Sequence, residues 1–371
     1  MLVGGARHLA MVPHGAPERL SWERPIARTL DALSRHRGRR VVVLASGDPL
    51  WFGIGRLILR RLPAEEVEII PNLSAFQWAC CRLGWALEEV AAVSLHGRPI
   101  ERLRRHLAPG VRLLLLTGSG EDPPRIAALL QEEGLGRADM WVMERLGGAE
   151  RIWHGRVREA PGRRFDELNL VALALPRDVE LPRAALVPGR EEELFLHDGL
   201  ITKAEVRAAT LARLRPQPGQ LLWDVGAGSG AVAIEWLRAG SDMRATAVEQ
   251  RAERVARIRE NARAFGVPEL VVIHGRAPEA LREQTAPDAV FIGGGLEDPE
   301  LVACCYERLR PCGRLVANAV TPAGEESLLY AWRRFGGSLY RLQVSRAEPA
   351  GGTVLWRAQA PVTQLLLVKP A

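Results

Sequence analysis

Short apolar runs alternate with amphipathic stretches along most of the chain, which predicts strands followed by helices. After residue 200 the rhythm is clean. Strands are predicted at 220–225, 244–249, 270–274, 289–292 and 314–319, and helices at 231–239, 251–265, 299–309 and 323–335. Two more strands are predicted near 338–345 and 363–368. A strand–helix–strand order makes neighbouring strands parallel, because a crossover returns the chain in the same direction. The first half shows a looser version. Residues 2–9 read as a short apolar start followed by a turn, 21–36 as a helix, and 41–45 as a buried strand. A helix is predicted to begin within 50–55. A strand follows at 67–70, and a helix at 75–83 is closed by Gly84. Strands at 92–95, 113–116, 139–144 and 170–175 and a helix at 124–133 complete it. Both halves are α/β.

Between them lies Val-Pro-Gly-Arg-Glu-Glu-Glu at 187–193, polar and broken by Pro-Gly, as a linker would be. The expected division is 1–186, a linker at 187–196, and 197–371. Thr202 with Glu205 three residues on predicts a capping box for a helix at 204–214, ended by Pro216 and Pro218. The Arg/Glu face of the 251–265 helix reads as solvated.

Composition narrows the class. At 371 residues and 47% hydrophobic content the chain can build two cores. No run of 18 apolar residues is present, so nothing reads as membrane-spanning, and the N-terminus lacks a signal-peptide pattern. Five cysteines, none in a C-x-x-C pair, predict a reducing cytoplasm and no metal site. The net charge of +6 arises within residues 1–190, and all the base except Lys203 and Lys369 is arginine. Arginine suits carboxylate recognition. No basic run interleaves with aromatics as a nucleic-acid platform would.

The chemistry centres on Trp-Asp-Val-Gly-Ala-Gly-Ser-Gly at 223–230. An apolar strand stops at Asp224, and Gly226, Gly228 and Gly230 then let a ligand lie against the backbone ahead of a helix N-terminus. Glu249 ends the next strand, where a carboxylate can accept both hydroxyls of a ribose. Together these resemble the S-adenosylmethionine (SAM) site of Rossmann-like methyltransferases. Ligand loops in such sheets lie at strand carboxyl ends. That puts Arg276 and Ala277 beside the adenine, and Gly293, Gly294, Asn318 and Thr321 toward the substrate.

In the first half, Ser-Gly-Asp-Pro (46–49), Pro-x-x-Ser-Ala-Phe (71–76), Leu-Thr-Gly (116–118), Glu-Arg-Leu-Gly (144–147) and Asn-Leu-Val-Ala-Leu (169–173) follow in order. By itself a Gly-Asp-Pro turn is also a common turn. The ordered set resembles the tetrapyrrole (corrin/porphyrin) methylase family over about residues 1–178. The resemblance implies a second SAM site between two α/β lobes, with Gly47, Asp48, Ser74 and Thr117 among its residues. The family begins with a strand carrying a glycine-rich loop, and this chain opens at what looks like the segment after it. The first strand is therefore expected to be missing, with Met1 an internal start and a reading frame extending roughly 20–30 residues upstream.

The second half, through Gly-Leu-Ile-Thr-Lys-x-Glu-Val-Arg (199–207), the glycine stretch, and Phe-Ile-Gly-Gly-Gly (291–295), resembles the decarboxylating C15-methyltransferases of corrin biosynthesis. It covers about 195–371 and implies a Rossmann-like domain with a mostly parallel seven-stranded sheet. The two halves in this order resemble a bifunctional family of cobalamin synthesis. That resemblance implies two methyl transfers to carbon, at C5 and C15 of precorrin-6B, with loss of CO2 from a ring acetate to give precorrin-8X. It also implies an acidic tetrapyrrole partner bound with Thr202 among the contacts, a cytoplasmic homo-oligomer, and no nucleic-acid or membrane partner. No Ser-His-Asp or Cys-His arrangement is present to name a catalytic residue. His197 and Lys203 are candidates by position only. Two alternatives stay open: the cobalt-containing substrate, and an RNA methyltransferase sharing the same SAM site.

Overall fold

A computed structural model describes residues 1–13, 18–23 and 25–371. The chain forms two compact units, Met1–Arg98 with Gly110–Arg177, and Pro99–Pro109 with Asp178–Ala371.

The first unit opens with β1 (Leu2–Gly4), α1 (Ala6–Ala10), β2 (Arg19–Ser21), α2 (Ala27–Leu33) and β3 (Val42–Val43). The apolar start is thus itself a strand, paired in parallel with β2 on one side and β3 on the other. The expected buried strand at 41–45 shrinks to two residues at the edge of this sheet, and Val42 is 45% exposed. The expected 21–36 helix is shorter, and its Arg24 lies outside the described residues. The helix expected to begin within 50–55 starts only at Gly55, as α3 (Gly55–Leu59). Phe52 adopts φ +56, a left-handed turn that no helix can contain. No strand forms at 67–70; among the described residues that stretch has no ladder partner, and Ile70 is 75% exposed.

Then come α4 (Ala75–Leu83), β4 (Val90–Ser94), β5 (Arg112–Leu116), α5 (Asp122–Glu132), β6 (Asp139–Glu144), β7 (Arg151–Arg156) and β8 (Asn169–Ala174). Gly84 closes α4 at φ +67. The five strands form one sheet in the order β4-β5-β8-β6-β7. Only β4 and β5 pair in parallel; the remaining neighbours are antiparallel. Leu114, Met143, Leu170 and Ala172 pack on Phe76 and Ala79 of α4.

The second unit runs α6 (Ala204–Leu214), β9 (Leu221–Val225), α7 (Ala231–Arg238), β10 (Arg244–Glu249), α8 (Ala252–Ala264), β11 (Val271–His274), β12 (Ala289–Ile292), α9 (Leu301–Arg308), β13 (Arg314–Ala319), α10 (Pro322–Phe335), β14 (Ser338–Leu342), β15 (Ser345–Ala350), β16 (Thr353–Ala358) and β17 (Val362–Val368). Seven strands make one sheet, β11-β10-β9-β12-β13-β17-β14. β9 to β13 are mutually parallel, and β17 runs antiparallel to both neighbours. β15 and β16 form a separate hairpin.

The strand period of two sorts the core onto two faces. Leu222 joins Leu211, Trp236, Ile258 and Phe265 on one. Trp223 and Val225 join Val302, Cys305, Leu328 and Ala331 on the other. β9, covered on both faces, is buried at all five residues, which explains why an apolar run, Leu221 to Trp223, leads into the equally buried Asp224. From β9 the chain crosses outward to β10 and β11, then returns to β12 on the other side. Such a switch point opens a crevice at the carboxyl ends of β9 and β12.

Candidate active site

The turn after β9 is held down by two N–H bonds, Gly226 and Ala227 to the carbonyl of Val248 at 3.0 and 3.1 Å. Gly226 has φ +67, and a Cβ there would lie 2.7 Å from the nitrogen of Gly294. The two glycine loops therefore meet with no room for a side chain. Gly230, φ +77, admits Ile258 of α8 against α7, where a Cβ would sit 2.8 Å from Ile258 Cγ2. The glycines at 226, 228, 230, 293 and 294 are brought into one place.

Two carboxylates stand behind this loop. Asp224 Oδ2 accepts the N–H of Ala233 at 3.0 Å, while its Oδ1 is buried without a partner among the described residues. Burial pushes the Asp224 carboxyl up to about 7, against the Ala233 N–H, with the charge of Glu249 adding to the rise. Glu249 is 3% exposed. It accepts Gly228 N–H at 3.0 Å on one oxygen and Arg251 N–H at 2.9 Å on the other. Each carboxylate oxygen keeps a second lone pair, so Glu249 can shape the loop and still accept a hydroxyl.

The segment before α6 lies over the same loop: Leu200 O is 3.5 Å from where a Gly228 Cβ would stand. α8 pins this segment. Asn261, 1% exposed, donates to Leu196 O and to Ser229 O and accepts Leu196 N–H. Arg254 bonds Asp198 at 2.8 Å and holds its carboxyl down to about 2, and Arg257 approaches the same oxygen at 3.3 Å. The arginine face of α8 is therefore partly a clamp and not simply solvated. His197 Nδ1 accepts Gly199 N–H at 3.0 Å.

The expected Thr202–Glu205 capping box does not form. Lys203 is the N-cap residue, with no side-chain cap bond. The Ala204 N–H is taken instead by Glu192 Oε1 at 2.6 Å, and Glu205 pairs with Arg346 at 2.8 Å. Thr202 contributes its carbonyl, to Arg207.

Elsewhere on the rim, Gly275 N–H bonds Glu249 O at 3.0 Å and leads into Arg276 and Ala277; Arg276 is exposed and Ala277 half-buried. Thr321 caps α10 by accepting Gly324 N–H at 3.2 Å. Asn318, half-buried at the end of β13, bonds Thr210 and Gln364.

In the first unit, Gly47 and Ser74 come together: a Cβ at Gly47, φ +59, would lie 3.2 Å from Ser74 Cα. Ser74 forms a capping box with Gln77 at the start of α4. Asp48 accepts the N–H groups of Leu50 and Trp51, closing its own turn. Thr117 hydrogen-bonds Asn169 at 2.7 Å and shares no hydrogen bond with the other three.

Sequence reasoning missed the clamp residues Asp198 and Asn261, and a buried ion cluster. Glu235 of α7, flanked by Arg207 at 3.2 Å and Arg190 at 3.6 Å, also accepts Gly189 and Arg190 N–H. Arg190 and Glu192, in the stretch expected as a linker, are 6% and 4% exposed. Asn261 did carry a signal, as a polar residue on the stripe of Val255 and Ile258.

The residues suit SAM: a backbone-lined cradle at Gly226 and Gly294, and a buried Asp224 oxygen without a partner. The comparisons agree. Residues 7–161 match the model of the tetrapyrrole (corrin/porphyrin) methylases, and residues 193–369 match that of the precorrin methyltransferase domain. The chain is 44% identical over 370 residues to the precorrin-6Y C(5,15)-methyltransferase (decarboxylating) of Sinorhizobium sp, covering 98% of this chain and 89% of that one. It is 35% identical over 147 residues to the cobalt-precorrin-7 C(5)-methyltransferase of Salmonella typhimurium, covering 39% of this chain and 71% of that one. It is 36% identical over 182 residues to a protein of Pyrobaculum calidifontis named "Probable cobalt-precorrin-6B C(15)-methyltransferase (decarboxylating)", covering 47% of this chain and 93% of that one. Matched by a family model in each half, and aligned over 98% of its length with the Sinorhizobium protein, the chain belongs to the precorrin-6Y C(5,15)-methyltransferase (decarboxylating) family.

Proposed function

We propose that the chain methylates precorrin-6B at C5 and C15 and removes CO2 from a ring acetate, giving precorrin-8X, with SAM as donor. Residues 1–186 serve C5, and 197–371 serve C15 and the decarboxylation. The observation that carries this reading is the presence of both family models in one chain, at 7–161 and 193–369.

When bound, SAM supplies a methyl group already activated as a sulfonium. The task left to the chain is positioning in a water-poor crevice. In the second unit the Gly226–Gly230 loop gives the backbone cradle, Glu249 accepts ribose hydroxyls, and Asp224 offers a buried acceptor. Asn261, Arg254 and Arg257 hold the 196–200 segment against that loop. In the first unit the Gly47–Ser74 approach is the corresponding close backbone contact.

The test uses carbon-13-labelled methyl groups. Product from the full chain should carry label at both C5 and C15, and Glu249→Ala should lose the C15 label first. Label at neither carbon would end the proposal. A second reading, the cobalt-containing substrate, draws on the 35% and 36% identical relatives. Direct competition between the metal-free and cobalt forms separates the two. Among the described residues no helix is long and apolar enough to cross a membrane.

A further inference from the structure

At the end of β13, Asn318 stands opposite Gln364 of β17 in the antiparallel register, and Thr210 of α6 closes a triangle with them. Asn318 Nδ2 and Gln364 Nε2 each donate to Thr210 Oγ1 at 3.0 Å. Gln364 Nε2 also donates to Asn318 Oδ1 at 2.7 Å. Thr210 and Gln364 are fully buried, while Asn318 is half-buried.

Counting protons fixes which way the amides face. A hydroxyl has one proton, and that of Thr210 goes to Val206 O at 2.8 Å within α6. Its oxygen can then only accept, so both amides must turn their NH2 groups toward it. The second proton of Gln364 goes to Asn318 Oδ1. The Gln364 carbonyl Oε1 is left buried with no partner among the described residues. An orphaned carbonyl in a core is costly, and three apolar residues would fill the same volume without it. What the triangle secures is the Asn318 amide, whose NH2 and carbonyl edges cannot exchange.

One Nδ2 proton of Asn318 remains outside the triangle. Ala317 pairs with Ile292 across β13 and β12, so Asn318 is the residue beside Gly293 at the mouth of the crevice. We propose that Asn318 donates this N–H to a carboxylate arm of the tetrapyrrole, and that Thr210 and Gln364 are positioning residues that keep it a donor. This rests on the reading of the second half as acting on an acidic tetrapyrrole.

The test uses the full chain with SAM and precorrin-6B. It follows CO2 release and C15 methylation in steady state, with SAM affinity by calorimetry. Asn318→Asp keeps the size but replaces the donor by a negative acceptor. It should raise KM for precorrin-6B by about tenfold or more, leaving kcat and SAM affinity within about threefold. Thr210→Val removes the shared acceptor and should also raise KM, while Thr210→Ser, which keeps the hydroxyl, should restore it. A purely structural role would lower the melting temperature and leave KM unmoved. An unchanged KM in Asn318→Asp overturns the inference, and that variant decides alone should Thr210→Val fail to fold. If the unmodified chain itself neither releases CO2 nor methylates C15, the underlying reading is what fails, and this inference falls with it.

Discussion

Asp224 holds a buried carboxylate with one oxygen unpartnered, and replacing it should make the protein more stable. In Asp224→Asn the amide oxygen still accepts the Ala233 N–H, and a neutral group takes the place of the orphaned Oδ1. Burial raises the carboxyl from 3.8 to about 7. The folded state therefore holds this proton more tightly than the unfolded state. Below about pH 4 both states are protonated and the carboxyl carries no penalty. Between about pH 4 and pH 7 only the unfolded state ionises, so stability falls as pH rises. Above about pH 7 the loss is complete, on the order of 4 kcal/mol at 1.36 kcal/mol per pKa unit. Asn cannot titrate, so its advantage over Asp should grow by about 2–3 kcal/mol between pH 5 and pH 8. Urea unfolding followed by hydrogen exchange at the β9 and β10 amides reports the second unit alone. The same variant should bind SAM more weakly, a trade of function against stability. A difference that does not change with pH, or a wild type more stable than Asp224→Asn at pH 8, would refute the reasoning.

Glu249→Ala should weaken SAM binding to the second unit by about 1–3 kcal/mol, the loss of a charged acceptor; unchanged affinity in calorimetry would remove the ribose assignment. Glu235→Leu leaves Arg190 and Arg207 buried without their shared carboxylate. It should cost the second unit about 3–5 kcal/mol in urea unfolding, and the triple change Arg190→Met, Glu235→Leu, Arg207→Met should recover most of that. A 195–371 fragment lacks Arg190 and Glu192, so it should melt well below a 178–371 fragment; equal melting temperatures would show that the segment is dispensable.

The second unit was far more legible than the first, for a physical reason. β10, β12 and β13 and the α6 helix match their predicted bounds to the residue. Strands covered on both faces carry an apolar stretch, Ala-Val-Phe-Ile in β12 and Leu-Val-Ala in β13, and each here is closed by a glycine, acid or polar turn. Short edge strands have no such requirement. Val42–Val43 and the unpaired 67–70 stretch look alike in sequence, and only the presence of a neighbour distinguishes them. The Thr202 cap failed because Glu192, twelve positions before Ala204, folds back to take the Ala204 N–H. No local pattern encodes that return, nor the Asp198–Arg254 clamp across 56 residues. The β15–β16 hairpin was legible and missed: Gly351-Gly352 between two extended stretches is a turn signal. Gln364, a polar residue inside the apolar run of β17, was equally visible.

The central claim is that one chain carries two methyl transfers and a decarboxylation. Mass spectrometry of the product formed from precorrin-6B and excess SAM by the full chain tests it most directly. The account predicts a product that has gained two methyl groups and lost one CO2, with release of CO2 abolished when the 197–371 half is inactivated. A product that retains every carboxyl group, or precorrin-6B returned unchanged by a folded chain that binds SAM, would contradict it.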